Sequence, residues 1–209
     1  MRAALRLLFG LTVLILLPAA AAARPAPRAD DMTLGNAKAT VMVVEYASLS
    51  CPHCARFHND VFPAFRKAFI DTGKIQFVYR EFITGPIEIA IPATMLARCA
   101  GKGGYFKMVE RVFATQGEMY EDGTVGGVRR ILRREAGTLG FDDARYDACI
   151  KDEAAFEALK ARVERASTED GVEGTPTFLV NGKRVDPPLG KEMDLATLKA
   201  AIAAARTAK

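Results

Sequence analysis

The sequence has no tryptophan, only two histidines and only four cysteines in 209 residues. These shortages narrow the chemistry first. A structural zinc site usually pairs two Cys-x-x-Cys units or adds spaced histidines to one. One such unit exists here, Cys51-Pro52-His53-Cys54, while Cys99 and Cys149 stand alone and the other histidine is His58. Charge of one sign is also scarce. Twenty-nine Lys and Arg against 25 Asp and Glu leave a formal charge of +4. There is no basic stripe with interleaved aromatics, so nucleic acid is not expected as a partner. No internal repeat is visible. What is present describes a chain with a core: half of the residues are hydrophobic and 26% are charged, which separates it from disordered chains.

Residues 1–23 read as a secretory signal. Arg2 and Arg6 form a charged start, Leu7 to Leu17 is apolar apart from Gly10 and Thr12, and Pro18 with Ala19 to Ala23 offers small-residue cleavage positions. The alternative is an uncleaved anchor, for which Leu7 to Ala23 is at the short edge. No cysteine lies near this segment to carry a lipid. Its removal takes away Arg2 and Arg6 and brings the charge to +2 (4 − 2). Export would place the protein where disulfides persist. Residues 24–39, rich at first in Pro, Ala and charge, read as a flexible lead-in.

Val41 to Ala47 is almost continuously apolar and β-branched, as in a buried parallel strand. Pro52 suits the first turn of a helix, and Phe57, Val61, Phe62, Phe65, Ala68 and Phe69 recur at helical spacing. Pro63 should kink that helix. Ile75 to Arg80 alternates like a second strand, so strand, helix and strand make a crossover unit with parallel strands. From 88 to 150 only helical patterns occur, over Ala93–Ala100, Tyr105–Thr115, Val125–Ala136 and Asp142–Ile150, punctuated by glycines. A long helix over about Glu153–Ser167 should lead back to the sheet. Thr175-Pro176-Thr177 opens the apolar run Phe178 to Val180, Asn181-Gly182 is a strong hairpin signal, and Leu195, Leu198 and Ile202 share a face of a closing helix. The expected organisation is an α/β core in two parts, 40–87 and 151–207, with an all-helical insertion over 88–150.

Cys51 falls between strand and helix, where unpaired N–H groups and the helix dipole favour a negative charge. A thiol there ionises more easily than a free one. A Cys-x-x-Cys beside a β-α-β pattern points to a redox site.

The motif Cys51-Pro52-His53-Cys54, Glu45 in the preceding strand, the helical insertion and Gly174-Thr175-Pro176-Thr177 together resemble the DsbA-like thiol:disulfide oxidoreductases of the bacterial periplasm. That resemblance implies a thioredoxin-like fold with an inserted helical domain and no cofactor or metal. It makes Cys51 the nucleophile, Cys54 the buried resolving thiol and Glu45 a buried acid that moves protons for Cys54. Pro52 and His53 would tune the pair. The Thr175-Pro176 bond would be cis, with Thr175 pairing with an extended client. The DsbA prototype has a thiolate pKa of about 3.5 against about 8.5 for free cysteine. That gap corresponds to about 7 kcal/mol, of which a helix terminus supplies at most about 2 kcal/mol. Hydrogen bonds and His53 would have to supply the rest. His58, farther along the helix, is read as having no special role.

Cys99 and Cys149 are expected to form a structural disulfide, since unpaired thiols are a liability in an oxidising compartment. Its loop of about 50 residues would contribute about 4 kcal/mol. The implied activity is donation of the Cys51–Cys54 disulfide to reduced, newly exported proteins by a monomer, with a membrane reoxidant of the DsbB type. Thr175 stands where the prototype has valine and is more like isomerase and reductase relatives. A disulfide isomerase or reductase is therefore one alternative, and a non-catalytic copper or zinc carrier is another.

Overall fold

The computed structural model describes residues 25–207; the signal expected over residues 1–23 lies outside them. The first element corrects the sequence reading. Met32–Gly35 (β1) is a strand, inside the segment read as a flexible lead-in, and it pairs antiparallel with Gln76–Glu81 (β3). Four residues are too short for alternation to announce a strand. Distant partners hold the segment in place: Arg28 makes two 2.8 Å bonds to Asp170, and Arg80 donates to Asp31 at 2.8 and 2.9 Å.

Met42–Ala47 (β2) is buried along its whole length. It runs parallel to β3 and antiparallel to Thr177–Val180 (β4), which pairs in turn with Lys183–Val185 (β5). The sheet order is β1-β3-β2-β4-β5. Asn181 and Gly182, both at positive φ (48° and 80°), make the β4–β5 turn, the geometry that selects Asn-Gly. The Asn181 side chain accepts from the Met42 N–H at 2.8 Å, locking the hairpin to β2.

Side chains alternate across a strand, so β2 serves two cores. Met42, Val44 and Tyr46 pack with Val78, Ala166 and Val172 on one face, and Val43 and Ala47 join the larger cluster on the other. Glu45 falls by alternation on the second face, the side of the helix that follows.

That helix, Pro52–Ile70 (α1), is continuous but not uniform. The turns Phe57–Val61 and Arg66–Ile70 are π-helical, and Phe62–Phe65 between them is α-helical. Pro63 cannot donate to the helical ladder and its ring crowds the preceding turn. The expected disruption takes the form of a wider turn just before it.

Four helices separate β3 from the return to the sheet: Ile87–Cys99 (α2), Gly101–Asp122 (α3), Val125–Gly137 (α4) and Asp143–Ile150 (α5). Cys99 is joined to Cys149 in a disulfide, Cα to Cα 5.9 Å, tying the end of α2 to α5. Glu153–Thr168 (α6) leads back, and Leu195–Thr207 (α7) closes the chain with Leu198 and Ile202 buried. Glu81, buried at the end of β3, fastens this segment to the sheet. It accepts from Arg98 of α2 at 2.5 and 2.7 Å, Tyr105 of α3 at 2.7 Å and Arg162 of α6 at 3.1 Å. Burial alone would raise its pKa, but the arginines outweigh burial and hold the carboxyl below its ordinary range. Among the described residues no helix is long and apolar enough to cross a membrane.

Candidate active site

The chain leaves β2 through Ser48-Leu49-Ser50 and enters α1 with Cys51 as the N-cap, in extended conformation (φ −75°, ψ 119°), and Pro52 in the first turn. The cap carries a sulfur where a hydroxyl or carboxylate usually sits. The Cys54 N–H donates to Cys51 Sγ at 3.4 Å. Both cysteines are free thiols.

This geometry separates the two thiols chemically. The Cys51 thiol is lowered from 9.0 to about 5. Hydrogen bonding with the Cys54 side chain is the largest cause, against an opposing effect of burial. Thr175 and the backbone N–H groups of Cys54 and His53 add to the lowering. Cys54, fully buried, is pushed well above the ordinary range, first by desolvation and then by the Cys51 sulfur and the charge of Glu45. The N–H donated to Cys51 Sγ favours its charged form, the kind of stabilisation expected.

Thr175-Pro176 is cis, and the Cys51 thiol donates to the Thr175 carbonyl at 3.3 Å. A second cis bond, Gly85-Pro86, was not anticipated. His53 is half-exposed, and its imidazole faces Glu192 (2.8 Å) and Arg56 (2.7 Å). Its backbone N–H is the part that acts on the sulfur.

Glu45 is fully buried, as its place in β2 requires. Its partner is His58, whose Nε2 lies 2.9 and 3.1 Å from the two carboxylate oxygens. The reading of His58 as unremarkable is therefore corrected. It sits one turn beyond Cys54 on the same helix face, a spacing that brings side chains together, and that was the available signal. Sequence reasoning also missed Gln116 and Tyr120 of α3. Gln116 donates to the carbonyls of Leu49 (2.9 Å) and Cys51 (3.3 Å), and Tyr120 donates to the carbonyl of Ser50 (2.6 Å). No local pattern marks residues that lie 65 to 70 positions from the carbonyls they hold.

Among the described residues no group of three or more His, Cys, Asp or Glu side chains is arranged to hold a metal ion. The site can hold a thiolate and a neutral thiol with two residues between them, beside a carbonyl that an extended strand could reach.

A thioredoxin family model matches residues 28–204. A Rickettsia typhi protein, provisionally named a protein-disulfide oxidoreductase, is 36% identical over 158 residues, covering 75% of this chain and 57% of its own length. Its counterpart in Rickettsia bellii is 35% identical over 158 residues, with 75% and 59% covered. The chain thus spans somewhat over half the length of these curated relatives. Among solved structures, alpha-DsbA1 of Wolbachia pipientis superposes with a TM-score of 0.74 at 27% identity, covering 87% of this chain and 94% of that one. The fold is thioredoxin-like, with a helical insertion between β3 and α6.

Proposed function

This chain belongs to the thioredoxin family, and from that premise we propose that it is a thiol:disulfide oxidoreductase that donates its Cys51–Cys54 disulfide to reduced, newly exported proteins. The observation that carries the reading is the split between the two thiols, Cys51 lowered to about 5 and Cys54 raised. A stabilised Cys51 thiolate favours the reduced enzyme, which makes the disulfide an oxidant.

In the oxidised protein a client thiolate attacks Cys51 Sγ. The Cys51–Cys54 bond breaks, Cys54 leaves with the electron pair and takes a proton, and a mixed disulfide joins Cys51 to the client. A second client thiolate attacks the client sulfur of that bond, and Cys51 departs as the stabilised thiolate. The client has lost two electrons and the enzyme has gained them. Cys51 is the nucleophile and leaving group, Cys54 the resolving thiol and Glu45 the buried acid that moves protons for Cys54, giving one as Cys54 leaves. Pro52 and His53 tune the first turn, with the His53 N–H directed at the sulfur. Thr175 pairs through its backbone with an extended client, a reading supported by its carbonyl lying 3.3 Å from Cys51 Sγ beside cis Pro176.

The setting is the periplasm, reached by the signal over residues 1–23. The protein acts as a monomer and is returned to its oxidised form by a membrane partner of the DsbB type. Equilibration of Cys51/Cys54 with glutathione tests the reading. The potential is expected well above the roughly −270 mV of thioredoxin, together with transfer of the disulfide to a reduced polypeptide. A potential at or below that of thioredoxin would turn the assignment toward a reductase.

A further inference from the structure

Glu45 and His58 form a buried acid–base pair with an unusual surrounding. Both carboxylate oxygens of Glu45 lie within hydrogen-bond reach of one atom, Nε2 of His58 (2.9 and 3.1 Å). The two side chains are 0% and 2% exposed. The imidazole stacks on Phe113 (centroids 4.4 Å, 21°) and is flanked by Phe62 and Tyr79. Its Nδ1 and the Tyr79 hydroxyl are buried without hydrogen-bond partners among the described residues. Titratable groups face the pair from each neighbouring element. Cys54 lies on α1, Tyr79 on β3 with Glu81 farther along it, and Tyr105 on α3 against Tyr79. Among the described residues Glu45 has no ion partner besides His58.

The π-helical turn Phe57–Val61 carries this arrangement. It lets the neighbours Phe57 and His58 both turn inward, 3% and 6% exposed. A charged carboxylate in such an apolar place is costly without a hydrogen-bonding partner. A full imidazolium would leave an Nδ1–H without an acceptor, which is costly when buried. A neutral ring donating Nε2–H to the carboxylate matches this geometry and leaves room for one more proton.

We propose that His58 is a positioning residue that makes, with Glu45, a single buried proton store for Cys54. This deepens the oxidoreductase reading and rests on it. When Cys54 attacks a sulfur bonded to Cys51, its S–H proton passes to the pair. The Cys51–Cys54 bond forms, and the displaced sulfur departs with the electron pair of the broken bond. In the opposite direction a client thiolate breaks the Cys51–Cys54 bond, Cys54 keeps the electron pair, and the stored proton neutralises it. Imidazole suits the role because its ordinary titration falls in the neutral range. Lysine would hold the carboxylate charged at every working pH.

The step can be isolated by loading Cys51 with a chromophoric aryl thiol as a mixed disulfide and following its release by Cys54 across pH. Replacing His58 with Gln (H58Q) keeps a side-chain donor but not a titrating one. Release is expected to slow by about tenfold or more at neutral pH, with the rise in rate displaced to higher pH. E45Q should behave likewise, and the double variant should lose little more than either single one. The Cys51 thiolate titration should remain in place in H58Q. An unchanged pH profile of release in H58Q would overturn the proposal. A second measurement needs no variant: the imidazole nitrogen shifts of His58, followed by NMR, should titrate differently in the oxidised and reduced protein, and identical curves would overturn it too. Failure of the unmodified protein to oxidise a reduced peptide would instead sink the oxidoreductase reading, so the two failures are distinguishable.

Discussion

At the scale of single residues, the first-turn hydrogen bonds to Cys51 make a direct prediction. Thiolate absorbance of the reduced protein should titrate with a midpoint near 5, and alkylation at Cys51 should follow the same curve; a midpoint near that of free cysteine would remove the basis for the proposed chemistry. A second residue-scale prediction concerns Gly35, at φ +82°, where an added Cβ would sit 2.5 Å from the Ile75 carbonyl. Gly35→Ala should cost about 1–3 kcal/mol in urea unfolding. The places of Cys51 and Cys54 at the start of a helix and of Glu45 in a buried strand were legible from residue type and spacing, whereas the cis Thr175-Pro176 bond followed only from the resemblance. His58 was not legible. Its inward turn depends on a π-helical widening, and the apolar spacing of Phe57, Val61, Phe62 and Phe65 suggests an ordinary helix with His58 off its buried face.

At the scale of elements, the helical segment is secured by two fastenings of different kinds. The Cys99–Cys149 disulfide closes a sequence separation of 50. Changing both cysteines to alanine should lower stability by up to about 4 kcal/mol, read as a shift in the urea midpoint. The active-site thiolate titration should stay where it was. The other fastening is Glu81, and Glu81→Gln leaves Arg98 and Arg162 facing an uncharged group. Removal of one partner from a buried ion cluster costs about 3–5 kcal/mol, so the variant should melt well below the unchanged protein. Helices were legible here from their apolar spacing and glycine punctuation. Their fastening to β3 was not, since Glu81, Arg98, Tyr105 and Arg162 carry no common local pattern.

For the molecule as a whole, pH acts in two windows. Cys51 has a folded pKa of about 5 against an ordinary 9.0. A depressed acid adds stability above its ordinary pKa and loses it as pH falls through the folded value. The reduced protein should therefore gain on the oxidised one as pH rises from about 5 toward 9, and urea midpoints of the two forms at several pH values would measure this. Above that range the raised Cys54 works in the opposite sense. In acid, Glu81, Asp170 and Asp30, all held below their ordinary range, withdraw their support as they protonate, in either redox form. The parallel strand-helix-strand unit, the late hairpin and the inserted helices could be anticipated from the order of periodic segments. The edge strand β1 could not, because its place is fixed by Arg28 and Asp31 reaching Asp170 and Arg80 far along the chain.

Gln116 and Tyr120 have a consequence for engineering. Three successive carbonyls of the loop, those of Leu49, Ser50 and Cys51, are held from behind by side chains of α3. A transplant of β2, the Cys-Pro-His-Cys loop and α1 into a bare scaffold would leave that backing behind. Its loop would relax into solvent, and the graft would inherit the motif without the stiffness that keeps its sulfur in register.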